Sequence, residues 1–224
     1  MAATINTNTY SLNAQRNLAK NSLGLASAIE RLSSGLRVNS ARDDASGLAR
    51  GTTLETTART QAVQIRSLSD TISTAETQDG ALGVLNDVLQ RMSELQSDTV
   101  GIASGSSDAE LGLLATQAAS LVTAGGSTMT AITSGSNVGA LATAIASVAS
   151  DRATRGATMN NAEFSIQAGQ VAYANTMAAR GRIMDADFAV ETSNLSRFQV
   201  LQQAGTAMVA QANAIPQNVL TLLR

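Results

Sequence analysis

The sequence predicts an all-α fold, an elongated chain of long helices, and three observations predict it. Proline occurs once in 224 residues, which removes the main obstacle to long helices. Aromatic residues make up only 2% of the chain while alanine occurs 40 times, a composition suited to thin, closely packed helices. Apolar residues recur at threes and fours over stretches far longer than an ordinary globular helix. With 44% hydrophobic and 14% charged residues, the chain is not disordered by composition and has room for one domain or two small ones.

The elements follow in order. Leu25, Ile29, Leu32 and Leu36, with Leu18 one heptad earlier, mark a coiled-coil seam on the first helix. Ser33, Ser34 and Gly35 interrupt it, and Asn39, Ser40, Asp43 and Asp44 offer caps and favourable charge to the helix that follows. That second helix, about 44–100, carries Leu54, Leu68, Ala75, Leu82 and Leu89 in one heptad position and Ala58, Ile65 and Ile72 in another. It would span roughly 85 Å at 1.5 Å per residue. Asp79-Gly80 weakens its middle, where a local bend is expected, and Leu85, Val88, Met92 and Leu95 then shift the seam.

Between Gly101 and Gly139 the composition turns to Gly, Ser and Thr, with a turn near 125–139. Leu111, Leu114, Ala118 and Leu121 keep helical spacing inside it, predicting a short helix from Ser107 to about Thr123. The next helix starts near Val138 and continues past Phe164 and Tyr173 toward Arg180. In the last segment Phe198, Leu201, Gly205, Met208, Ala212, Ile215, Val219 and Leu222 form one stripe, while Val200, Val209, Leu220 and Leu223 lie off it. A tail apolar on more than one face needs several neighbours, so the pattern itself points to an oligomer or polymer. Pro216 removes one backbone donor and is expected to kink or fray this helix.

Absences exclude whole classes of chemistry. Without histidine or cysteine there is no imidazole base, thiol nucleophile, disulfide or thiolate zinc site, and no cofactor or metal site is expected. A net charge of -2, with Lys20 the only lysine, gives no footprint for nucleic acid. The start lacks the basic and apolar regions of a cleavable secretory signal. The least polar run, Val138 to Ala149, falls short of the ~20 residues of a membrane span, so no membrane contact is expected. Asp43-Asp44 and the pair Asp185 and Asp187 read as helix caps, not as acid/base carboxylates. The run GIASGSS at 101–107 lacks the lysine of a phosphate-binding loop.

Residues 29–48 read IERLSSGLRVNSARDDASGL and 193–224 read SNLSRFQVLQQAGTAMVAQANAIPQNVLTLLR. Both resemble bacterial flagellin, without gaps over about 1–100 and from about 178 to the end. The resemblance implies a hairpin-shaped subunit that polymerises into the flagellar filament for motility, without catalysing a reaction. It places 1–40 with 184–224 in an inner terminal coiled-coil domain and 41–183 in a helical rod domain. Only the Gly/Ser/Thr turn stands where the family inserts variable outer domains, so the resemblance implies a minimal form without them.

The resemblance also implies an assembly core of Leu25, Ile29, Leu32, Phe198, Leu201, Met208 and Ile215. Implied partners are further copies of the chain, the flagellar cap and hook-junction proteins, an export chaperone and the type III export apparatus, which fits a secreted, extracellular location. Arg91 and Leu95 match the family's contacts for a Toll-like immune receptor, whereas Ala115 stands where a third, acidic contact falls. The Phe-Asn-Gly stretch before the family's rod hairpin is absent, and Arg155-Gly156-Ala157-Thr158-Met159-Asn160-Asn161 replaces Leu-Gly-Ala-x-Gln-Asn-Arg, so the rod interior is expected to repack there. The nearest alternative is a hook-filament junction protein, and others are a cytosolic coiled-coil scaffold and an enzyme. A metallopeptidase insert of the His-Glu-x-x-His type would need histidines. The Ser/Thr-rich stretch 127–136 is the expected place for O-linked glycans.

Overall fold

The computed structural model describes residues 7–97, 104–127, 129 and 132–222, and the side chains of 7–97, 108–127, 129 and 132–214. Among them are five helices, α1 Thr9–Ser34, α2 Ala45–Ser97, α3 Ser104–Gly125, α4 Val138–Met184 and α5 Phe188–Leu222. The described residues contain no strand, only an isolated antiparallel bridge between Leu36 and Asp185. The chain falls into two compact units, Met1–Thr57 with Asn175–Arg224, and Ala58–Ala174.

In the first unit, α1 begins at Asn8, whose side chain accepts the Ser11 N–H, and ends at Gly35. Gly35 has φ 71° and returns its N–H to the Arg31 carbonyl, the left-handed cap that a glycine adopts without strain. The chain then runs back along the end of α4. Arg37 N–H donates to the Met184 carbonyl at 2.7 Å, and Ala186 N–H donates to the Gly35 carbonyl at 2.9 Å. Val38 and Met184 are buried, and a Cβ on Gly51 would lie 2.5 Å from Met184 Sδ, so the methionine side chain packs directly over the glycine of α2. Asp44 starts α2 by accepting the Gly47 N–H at 2.9 Å.

The second unit holds the large core. Leu82, Leu85, Leu89 and Met92 of α2 meet Leu111 and Ala118 of α3 and Leu141, Ala144 and Val148 of α4. The α2 heptad positions expected at Ala75, Leu82 and Leu89 are buried. α2 passes through Asp79 and Gly80 as one helix, and Arg152 of α4 holds Asp79 with Nε 2.8 Å from Oδ1. α3 starts three residues before the expected Ser107 and ends two after Thr123. Its end is set by Gly126 at φ 59°, and Gly125 before it lies against the core, where a Cβ would be 2.7 Å from Leu82 Cδ2. α4 continues beyond Arg180 to Met184, whose carbonyl is taken up by the Arg37 N–H.

Arg155, in the segment that departs from the flagellin pattern, donates to the Gly126 carbonyl at 3.0 Å and so ties α4 to the end of α3. Ser127 donates to Asp151, which leaves Thr133 and Ser134 as the exposed hydroxyl residues of the described loop.

Candidate assembly surface

α1 and α5 pack antiparallel, and their inward positions step by threes and fours. On α1, Ser11, Leu18, Leu25 and Leu32 share one heptad position and Ala14, Asn21 and Ala28 the other, all buried or half-buried. On α5, Glu191, Phe198, Gly205 and Ala212 alternate with Leu195, Gln202 and Val209 in the same way. Each helix offers a glycine to a large side chain of its partner. A Cβ on Gly24 would lie 2.6 Å from the Phe198 ring, and one on Gly205 would lie 3.1 Å from Leu18.

Polar contacts mark both ends of the seam. At one end Asn8 Nδ2 donates to the Ala212 carbonyl at 2.8 Å, and buried Ser11 donates through Oγ to Asn213 Oδ1 at 2.7 Å. At the other, Arg31 lies 3.6 Å from the buried carboxylate of Glu191, which also accepts from Asn194 at 3.0 Å. A buried carboxylate is stable only with such partners.

This seam divides the expected assembly core. Leu25, Leu32 and Phe198 are half-buried in it. Ile29 is exposed instead of buried, because Ala28 holds the position three residues after Leu25 and the seam runs through 25, 28 and 32. The stripe expected on α5 also separates. Phe198, Gly205 and Ala212 face α1, whereas Leu201 is 39% and Met208 62% exposed. Ile215 lies outside the residues whose side chains are described.

Leu201 and Met208 are not scattered surface residues. With Gln211 they form one wall of a groove of about 410 Å³ whose other wall is Tyr10, Asn13 and Asn17 of α1. Val200 on α5 and Leu12 and Leu23 on α1 are exposed as well, so the helix pair shows apolar side chains beyond its own seam.

The other candidate residues lie in the second unit. Arg91 is exposed and sits 3.4 Å from both Glu94 and Glu110, while Leu95, 9% exposed, belongs to the core. The patch expected from Arg91 and Leu95 is therefore not a shared exposed face, and Ala115 packs against the same core. Sequence reasoning missed Glu110 as the acidic neighbour of Arg91. It also missed Asn8, Ser11 and Glu191, of which only Asn8 carried a readable signal, as a capping residue before a helix.

The carboxylates weighed as acid/base groups serve the backbone. Asp43 accepts from the Ser40 N–H at 2.9 Å, and that bond, ahead of the Ser40 hydroxyl, lowers its pKa. The Gly47 N–H lowers that of Asp44, and Asp187 caps α5 through the Ala189 N–H at 2.9 Å. Among the described residues no group of acidic side chains is arranged to hold a metal ion, and no helix is long and apolar enough to cross a membrane.

Comparison with known proteins agrees with this architecture. Residues 5–111 match the model of the bacterial flagellin N-terminal helical region, and 138–223 that of the bacterial flagellin C-terminal helical region. A flagellin of Xenorhabdus nematophila is 33% identical over a 315-residue alignment covering 100% of both chains. A flagellin of Halalkalibacterium halodurans is 33% identical over 270 residues, covering 98% of this chain and 99% of that protein. One from Bordetella bronchiseptica is 55% identical over 97 residues, 42% of this chain and 24% of the longer relative. Nothing in these matches favours the hook-filament junction alternative. With both helical regions matched and whole-length relatives aligned, the chain belongs to the bacterial flagellin family and is a structural, self-polymerising subunit of the extracellular flagellar filament.

Proposed function

We propose that the α1–α5 pair supplies the surface through which subunits join, and that the groove between Tyr10 and the Leu201–Met208 wall receives a neighbouring copy. The observation that carries this is the separation on α5. The seam is already satisfied by Phe198, Gly205 and Ala212, yet two large apolar side chains stand outside it on the rim of a groove. Burying the part of these side chains still exposed stabilises by about 1 kcal/mol each, and a neighbouring chain can supply that cover. On this reading 1–40 with 184–224 is the inner terminal domain and 41–183 the helical rod domain, and Ile29 joins the assembly core from outside the seam, with Ile215 a further member of that core.

The same reading extends to the route. The chain is exported by the type III apparatus with a chaperone, is added under a cap protein, and meets the hook-junction proteins at the filament base. Zero cysteine suits passage without mispaired thiols. The role includes no catalysis, in keeping with a structural family. For a Toll-like receptor, Arg91 with its acidic neighbours is the part of the candidate contact open to a partner. The test of the assembly surface is Leu201→Asp, which is expected to abolish filaments seen by electron microscopy. Filaments of ordinary length from that variant would remove the groove from the interface.

A further inference from the structure

We propose that Asn8 and Pro216 together form a positioning device for assembly, in which the proline leaves the carbonyl of Ala212 without its helical donor and the Asn8 amide takes that place. Within an α-helix the carbonyl of residue i accepts the N–H of residue i+4. α5 runs through position 216, so the Ala212 carbonyl is due a donor from Pro216, which has no N–H to give. The donor comes instead from the other end of the chain, as Asn8 Nδ2 reaches the Ala212 carbonyl at 2.8 Å. The same side chain accepts the Ser11 N–H through Oδ1 at 3.1 Å. One amide therefore starts α1 with its oxygen and docks α1 on α5 with its nitrogen.

The acceptor is specific in register. Pro216 is the only proline, so elsewhere in the interior of α5 each carbonyl has an N–H four residues on. Sliding α1 by one turn would set the Asn8 amide against a carbonyl that is already bonded. The buried Ser11 hydroxyl, donating to Asn213 Oδ1 at 2.7 Å, holds the adjacent position. Register here decides which side chains line the groove, because Tyr10 lies two residues after Asn8 and Met208 one turn before Ala212. Asn8 and Pro216 thus act through the placement of Tyr10 against Met208, which rests on the reading of that groove as the joining surface.

The test separates docking from capping. Asn8→Asp keeps an oxygen for the Ser11 N–H and loses the donor to Ala212. It is made in the natural chain and in Pro216→Ala, where an N–H returns to serve the Ala212 carbonyl. The critical concentration for polymerisation is expected to rise about fivefold with the proline present, the loss of one ordinary hydrogen bond, and by less than about twofold with alanine. Equal rises in both backgrounds overturn the device. Incorporation of each variant as a minor component into filaments of the natural subunit, read by mass spectrometry, reports the same coupling if Pro216→Ala does not polymerise alone. Pro216→Leu repeats the restoration of the N–H with a different side chain. Leu201→Asp distinguishes the two readings. Normal incorporation of that variant alongside intact Asn8–Pro216 coupling ends the groove reading alone, whereas its exclusion without coupling ends the positioning device alone.

Discussion

Between α2, α3 and α4 the side chains that disappear from solvent are large, among them Leu82, Leu85, Leu89, Met92, Leu141 and Val148. Between α1 and α5 the buried side chains are Ser11, Ala28, Glu191 and Ala212, and the large apolar ones stay half-buried or exposed. The contrast is one of self-sufficiency. A three-helix cluster closes over its own leucines, whereas two helices alone cover only one stripe each, and the rest of their apolar surface awaits another molecule.

Predictions follow this contrast from large to small. Leu201→Asp removes filaments entirely yet leaves the thermal unfolding of the second unit in place, since residue 201 belongs to the other unit. Joint loss of both transitions by calorimetry would show that the regions are not independent. Leu89→Ala has the opposite signature. A fully buried leucine is lost, so the second unit is destabilised by about 2–5 kcal/mol in denaturant titration, and a cost below about 1 kcal/mol would mean that the core relaxes around the gap. Gly24→Ala sets a methyl 2.6 Å from the Phe198 ring and is expected to cost about 1–3 kcal/mol, read as a lower melting temperature of the filaments. An unchanged value would show that the ring can turn aside.

The smallest expected effect is electrostatic. The hydrogen bond from Arg152 holds the Asp79 carboxyl below its ordinary 3.8. A carboxyl lowered on folding adds stability above its ordinary value and loses it as pH falls through the folded value. The contribution, about 1 kcal/mol or less for so exposed a pair, is therefore complete at neutral pH and is lost as the pH falls below the ordinary 3.8. Asp79→Asn should flatten that part of the unfolding profile of the second unit, lowering its stability near neutrality by about 1 kcal/mol or less and leaving no difference in acid.

How much of this was legible in the sequence depended on side-chain size. The stripe through Ala75, Leu82 and Leu89 was readable because leucines a heptad apart announce a buried face, and helix ends were placed within a few residues by Gly125, Val138 and Asp44. The α1–α5 seam was read only in part. Its inner positions include Ser11, Ala14, Asn21, Ala28 and Gly205, which carry little hydrophobic signal, and so the hydrophobic pattern favours Ile29 over Ala28. Small residues bring helices close and large ones then fall outside the contact. Glu191 was invisible for a related reason, since a carboxylate reads as surface until its partner Arg31, 160 positions away, is known to be near.

The bond from Asn8 to Ala212 joins residues 204 apart. A contact of such span closes almost the whole chain into a loop and cannot form until both ends of the chain are present. A chain broken off during synthesis would carry α1 but no α5, and hence neither the seam nor the wall of Leu201 and Met208. Incorporation into the polymer would then test each molecule for completeness, admitting full-length copies and leaving fragments behind without any separate inspection.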